Sequence, residues 1–347
     1  MKSIYDLTYE QMEEMVLANG WKKYRGNQIF QWLYRKRITE WNMMSDIPLD
    51  MKTKLSEQYS FKPLELVSKQ VSQDGTRKYL FQLEDGSTVE TVLMVYNYGN
   101  CVCVTSQVGC NMGCAFCASG LLKKQRDLTA SEITQQVLMV QKDLDETDER
   151  VSHIVVMGIG EPFDNYYNVL NFCRTVNHDR GLGIGARHIT ISTCGVVPMI
   201  RRFAEEKLQY NLAISLHAPN DELRSKIMPI NRAYPLEKLL EALKYYASLN
   251  NRRLSFEYIL LKDVNDSDEC AKQLAILTKG FDVFVNLIPY NQVDEHGYRT
   301  VDYKEAMKFY DKLMKLNVRC TLRQEHGADI DAACGQLRAK HERRKAL

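Results

Sequence analysis

From about residue 100 onward the chain alternates between two hydrophobic periods, and no other feature constrains its fold as tightly. Apolar and β-branched runs at Val102–Ser106, His153–Met157, His188–Thr193, Asn211–His217, Leu254–Leu260, Val283–Ile288 and Val318–Arg323 read as strands. Between them lie segments with apolar residues three and four apart. One opens at Thr129, with Glu132 three residues on in capping-box spacing, and continues through Ile133, Val137 and Val140. Another, from Pro235 to Leu249, puts Leu236, Leu239, Leu240, Leu243 and Tyr246 on one face. Strands separated by helices imply a parallel sheet with right-handed crossovers. Six or seven such units form a full or partial α/β barrel, with functional residues at the C-terminal ends of the strands.

Two further regions precede the alternation. Residues 1–62 read as a small helical unit. Thr8 and Gln11 have capping-box spacing ahead of Met12, Met15 and Val16, Ile29, Phe30, Trp32 and Leu33 share a face, and Met51 to Tyr59 forms a third helix. Trp32, on that apolar stripe, is expected in the core. Residues 63–99 change to period two: Val67–Val71, Tyr79–Leu83 and Thr88–Val95 are separated by Asp74-Gly75 and Asp85-Gly86 turns, a β-meander.

Lys and Arg total 46 against 44 Asp and Glu, a net charge of +2, with 45% hydrophobic residues. This excludes a mainly disordered chain and a uniformly basic nucleic-acid coat. No stretch reaches the roughly 18 apolar residues of a membrane helix, and the N-terminus lacks a signal-peptide core, so a cytoplasmic protein with reduced thiols is expected. Five of the ten cysteines fall between Cys101 and Cys117, which in a reducing compartment points to metal or catalysis. Cys173 and Cys320 sit in apolar patterns and read as buried small hydrophobes.

Cys110, Cys114 and Cys117 form C-x3-C-x2-C just after the first barrel strand. Three thiolates on one short loop can hold three irons of a 4Fe–4S cluster. The fourth iron, without a protein ligand, can bind the amino and carboxylate groups of S-adenosylmethionine (SAM). A zinc site completed by Cys101 or Cys103 is the alternative, although structural zinc favours two separated ligand pairs.

The spacing resembles the radical SAM superfamily, whose usual fold is a partial (β/α)6 barrel. Further segments resemble the RlmN/Cfr family of RNA adenine methyltransferases within it: Ser106 to Cys110, Met157-Gly158-Ile159-Gly160-Glu161-Pro162, Ile191 to Gly195, Ser215-Leu216-His217-Ala218, Met228 to Asn231, Asn286 to Asn291 and Asp329 to Leu337. The likeness covers nearly the whole chain. Gly160 to Asn165 and Asn231 to Tyr234 look more like the adenine-C2 branch than the C8 branch, while the cysteine framework is common to both.

The resemblance implies a mechanism and its residues. Adenine C2 has no lone pair with which to attack the SAM methyl, so these enzymes first methylate one of their own cysteines, here matched by Cys334. A second SAM supplies a deoxyadenosyl radical that abstracts hydrogen from the S-methyl group, and the methylene radical adds to the base. Cys103 matches the thiol that resolves the protein–RNA adduct through a transient disulfide with Cys334. Glu90 matches the proton acceptor. Cys101, two positions from Cys103, faces the same side of a strand and could confound that role. Gly160, Glu161, Ser192, Ser215, Leu216, His217 and Asn291 match the family's SAM contacts.

The substrates implied are 23S ribosomal RNA at the peptidyl-transferase centre and the tRNA adenosine 3′ of the anticodon. An electron donor such as a flavodoxin-type reductant is implied as well. At a net charge of +2, RNA needs local basic surfaces. Candidates are Lys123, Lys124 and Arg126, then Arg201 and Arg202, the tail with Lys340, Arg343, Arg344 and Lys345, and the N-terminal run of bases and aromatics around Trp21 to Arg25 and Trp32 to Arg37. A Cfr-like C8 methyltransferase and a non-catalytic iron–sulfur RNA-binding protein are the competing readings.

Overall fold

The computed structural model describes the chain except residues 62, 325, 328, 331–334, 336 and 339–347. Its centre is one ten-stranded sheet whose strands lie side by side in chain order. The meander supplies β1 (Glu65–Val71), β2 (Arg77–Gln82) and β3 (Thr88–Tyr96), paired antiparallel through the Asp-Gly turns. β4 (Gly99–Cys103) pairs antiparallel with β3, Cys103 lying opposite Val92.

From β4 the sheet becomes parallel through β5 (Val151–Val156), β6 (Ile189–Thr193), β7 (Asn211–Ser215), β8 (Leu254–Leu260), β9 (Val283–Pro289) and β10 (Cys320–Leu322). Seven parallel strands with helical crossovers between them make six βα units and a closing strand. The sheet has two ends, β1 and β10, so the barrel is partial. The meander and the barrel wall are therefore one continuous surface.

The N-terminal unit holds α1 (Tyr9–Ala18), α2 (Tyr24–Tyr34) and α3 (Leu49–Gln58), and the Thr8–Gln11 capping box forms as its spacing predicts. These helices bury Met12, Val16, Ile29, Phe30, Leu33 and Leu55 in a core of their own. Trp32 is only half-buried, and its indole N–H reaches the Asp46 carboxylate at 2.6 Å. A polar edge explains the departure from the expected core position: the ring packs while the N–H takes an outer partner.

Around the barrel run α4 (Ala130–Leu144), α5 (Tyr166–Asn177), α6 (Val197–Glu205), α7 (Asp221–Ile227), α8 (Leu236–Leu249), α9 (Asp268–Thr278) and α10 (Tyr303–Lys315). The Thr129–Glu132 capping box opens α4. Leu138 of α4 belongs to the N-terminal core, and Asp6 accepts the Ser131 amide at 2.9 Å, so the helical unit is seated on this helix. Cys173 and Cys320 are buried among apolar side chains, as their patterns predict. Among the described residues no helix is long and apolar enough to cross a membrane.

Candidate active site

The loop after β4 is shaped by backbone contacts. Gly109 has φ +82°, and a Cβ there would stand 2.2 Å from the Lys123 carbonyl, so only glycine lets the two strands of this loop close. The Cys110 amide donates to the Leu122 carbonyl at 3.1 Å, and the Ala115 amide to Ile227 at the end of α7 at 2.9 Å. Cys110, Cys114 and Cys117 are thereby held on one turn, half-buried, along a cavity of about 270 Å³.

Burial pushes the Cys110 thiol up to about 11. Burial, and then repulsion from Cys117 and Cys110, also raises Cys114. Three crowded thiolates thus need cationic metal to be stable, and three soft sulfur donors suit iron. Three soft sulfur donors bunched on one short turn suit a 4Fe–4S cube, which takes a separate iron for each sulfur, whereas structural zinc favours two separated ligand pairs.

Strand ends build the rest of the wall. Gly160, Glu161, Ser192, Ser215 and His217 all line the cavity, joined by Met112, Phe116, Met157, Glu257 and Arg323. Gly160 has φ +110°, and a Cβ would stand 2.7 Å from the Gln107 side chain. The Glu161 carboxylate is buried, which raises its pKa, and accepts the amides of Cys194 at 2.7 Å and Phe163 at 2.9 Å on separate oxygens. The hydroxyls of Ser192 and Ser215 stand 3.5 Å apart on adjacent strands.

His217, at φ +58°, packs edge-on against Phe116 of the cluster loop, and its Nδ1 accepts the Ile259 amide at 3.0 Å. Burial, with Arg224 nearby, lowers it to about 3, so the ring is neutral. Leu216 and Asn291 are not among the residues along the cavity. The Leu216 side chain is fully buried in the barrel core, and Asn291 is exposed beyond β9.

Sequence reasoning missed Arg224, which organises these ends. Its fully buried guanidinium donates to the carbonyls of Cys194 (2.7 Å), Ser215 (3.2 Å) and Leu216 (3.1 Å) and to the Asn231 side chain (2.9 Å). It therefore binds the ends of β6 and β7 to the turn after α7. An arginine in the short polar helix Asp221–Ile227 carries no periodic signal of such a role.

The remaining expected residues meet on the inner face of β2 to β4. Cys101 and Cys103 are buried on one side of β4, packed with Val92, Val155 and the cavity residue Met157, as strand alternation predicts. Burial pushes Cys101 up to about 12. Glu90 shares this face. Its Oε2 stands 2.8 Å from Lys78 Nζ and accepts the Gly335 amide at 2.7 Å, while Oε1 accepts the Arg338 amide at 2.6 Å. Cys334 lies outside the described residues. Its neighbour Gly335 has φ +83°, and a Cβ there would come 3.1 Å from the Ser119 nitrogen and 3.2 Å from the Ala118 carbon. Gly335 is therefore wedged between Glu90 and the chain just after Cys117.

The expected basic surfaces are less free than the sequence suggests. Lys124 pairs with Asp127 and Asp164, and Arg126 with Asp85 and Glu132, each at 2.7 Å, leaving Lys123 exposed. Arg201 and Arg202 stack near Tyr245 and Tyr167, and the basic tail lies outside the described residues. On the N-terminal unit Arg25 lies over the exposed Tyr24 ring, Lys54 over Trp21 and Lys36 over Trp32.

Comparison with known proteins agrees with this geometry. Residues 104–274 match the radical SAM superfamily, and residues 2–60 match the ribosomal RNA large subunit methyltransferase N-terminal domain. The chain is 58% identical over 351 residues to the dual-specificity RNA methyltransferase RlmN of Enterococcus faecalis, covering 100% of this chain and 98% of the relative. It is 57% identical over 353 residues to the RlmN protein of Streptococcus pneumoniae, covering 99% and 98%. Among solved structures, a radical SAM methyltransferase from Sphaerobacter thermophilus superposes with a TM-score of 0.92 at 41% identity, covering 97% of this chain and 99% of that one.

Proposed function

Because this chain belongs to the RlmN family of radical SAM RNA methyltransferases, we propose that it methylates C2 of adenine in two RNAs. These are 23S ribosomal RNA at the peptidyl-transferase centre and tRNA at the adenosine 3′ of the anticodon. The observation that carries the reading is the meeting of Glu90, the residue after Cys334 and the chain after Cys117 at one point.

Cys110, Cys114 and Cys117 would hold a 4Fe–4S cluster which, when bound, supplies the electron that cleaves SAM to a deoxyadenosyl radical. Gly160, Glu161, Ser192, Ser215 and His217 form the SAM wall, which Leu216 and Asn291 do not line. Cys334 accepts a methyl group from a first SAM and, after hydrogen abstraction by the radical from a second, delivers the one-carbon unit to the base. Glu90 accepts the proton lost from C2. Cys103 closes a disulfide on Cys334 as the S–CH2 bond breaks: its thiol proton completes the methyl group, and the one electron left over would return to the cluster. A cellular dithiol then reopens that bond, which suits a cytoplasmic setting, and a flavodoxin-type protein is the electron donor. The target base must leave its stack to reach the cavity. The N-terminal unit, with Trp21, Tyr24, Arg25, Lys36 and Lys54 outermost, contacts the RNA.

The test is an anaerobic assay with SAM, a reductant and separate ribosomal RNA and tRNA substrates, followed by nucleoside analysis. The expected product is 2-methyladenosine from both RNAs, with S-adenosylhomocysteine and 5′-deoxyadenosine in equal amounts. Formation of 8-methyladenosine would instead place the chain with the C8 enzymes. Absence of any deoxyadenosine would leave a non-catalytic RNA-binding protein. Cys103→Ala is expected to trap a covalent RNA adduct.

A further inference from the structure

Lys78 has no part in the chemistry above, yet among the described residues it is the one lysine at 0% exposure. It sits on β2, on the face it shares with Leu80. Leu80 lies opposite Glu90 and Lys78 opposite Val92, so the lysine and the glutamate are diagonal neighbours on one side of the sheet. Taking a lysine fully out of water is expensive unless it is paired. Its Nζ lies 2.8 Å from Glu90 Oε2, which answers that cost.

What the pair holds is the informative part. Beside the lysine, the buried Glu90 carboxylate accepts two amides, those of Gly335 and Arg338. Gly335 in turn has its Cα turned to Ala118 and Ser119 with no room for a side chain. The chain just after Cys334 thus has one anchor in Glu90 and one wall in the cluster loop. Two further anchors lie on the same meander. Asp74 accepts the Gly327 amide at 2.9 Å, and Asp329 bonds Ser72 and the Gln73 amide.

We propose that Lys78 is a positioning residue: through Glu90 it fixes the Gly335 and Arg338 amides, just after Cys334, with Gly335 set against the cluster loop. It is not among the residues that line the SAM cavity. The inference rests on the reading of Cys334 as the methyl carrier.

The experiment uses the full chain, reconstituted anaerobically with iron and sulfide, as wild type, Lys78→Met, Lys78→Arg, Glu90→Gln and the Lys78→Met/Glu90→Gln double variant. Three quantities are measured: iron content, hydrogen exchange over residues 335–338, and S-methylation of Cys334 by mass spectrometry after incubation with SAM. Lys78→Met is expected to keep its iron, to exchange at 335–338 faster by about tenfold or more, and to methylate Cys334 more slowly by a similar factor. Lys78→Arg should recover most of both losses. The double variant should be no worse than Glu90→Gln alone, because the lysine acts through the glutamate. Unchanged exchange and methylation in an iron-loaded Lys78→Met protein would overturn the proposal while leaving the functional reading intact. If Lys78→Met does not fold, the double variant, which strands no charge, decides by the same comparison with wild type. Failure of wild-type Cys334 to accept a methyl group would overturn the functional reading, and the inference with it.

Discussion

The barrel wall and the meander each bury a cation, and they accommodate it in opposite ways. Arg224 faces three carbonyls and an amide oxygen, all neutral. Its planar fork suits dipoles arriving from several strand ends at once. Lys78 is a point charge beside a carboxylate. The barrel spreads one positive charge over many partners and so knits a surface together. The meander pairs its charge and passes the resulting anion on to a separate piece of chain. The first arrangement tolerates no substitute partner, whereas the second can be dismantled evenly from both sides.

The sharpest way to break this contrast is thermodynamic. Lys78→Met should cost about 3–5 kcal/mol, because it strands the Glu90 charge, and adding Glu90→Gln should restore more than half of that. Urea denaturation of the two variants checks it, and a double variant as unstable as the single would erase the distinction. Arg224→Met should cost about 3 kcal/mol through orphaned carbonyls, and Asn231→Leu in the same chain should not recover it.

Acid separates the regions next. His217 in the barrel is lowered from 6.5 to about 3, so the folded form resists a proton that the unfolded chain takes up. Stability should therefore fall as pH drops from 6.5 toward 3, by up to about 1.4 kcal/mol per unit. His217→Gln should flatten that slope in urea midpoints measured between pH 7 and 4. The smallest effect belongs to the junction of the meander with α4. There, although partial burial pushes Asp143 up, hydrogen bonds from Lys69, Tyr79 and Arg77 hold it down at about 2. Its contribution is present above the unfolded value of 3.8 and lost as pH falls through about 2. Asp143→Asn should cost about 1 kcal/mol at pH 7, after allowance for solvent screening, and nothing near pH 2.

The parts of this molecule that were legible in the sequence are those governed by local pattern. Leu254–Leu260 is a strand with the expected ends, and the Thr129 and Thr8 caps form as spaced, because each depends on residues within one turn or one strand. The first barrel strand is an instructive departure. It was expected at Val102–Ser106 and runs Gly99–Cys103, since beyond Val104 the backbone turns to bond Gly158 and Ile159 rather than a neighbouring strand. The C-x3-C-x2-C spacing and the glycines of Met157 to Pro162 were visible in the sequence, and the fold sets both along one cavity. What escaped depends on partners far away in sequence. Lys124 and Arg126 looked like free basic charge, but Asp164 and Asp85 neutralise them across the fold. Nothing in the sequence marks Arg224 or Lys78 as buried, for the same reason. Leu216, placed with its neighbours at the strand end, turns its side chain into the wall.

The chain-ordered sheet also has a temporal side. Each strand lies next to the one made just before it, so a growing polypeptide can lay down the wall as it leaves the ribosome, needing nothing still unsynthesised. The Gly335 amide breaks that rule, reaching back 245 positions to Glu90. The loop bearing Cys110, Cys114 and Cys117 is thus complete long before Gly335 is made, and Gly335 closes on a face that formed much earlier.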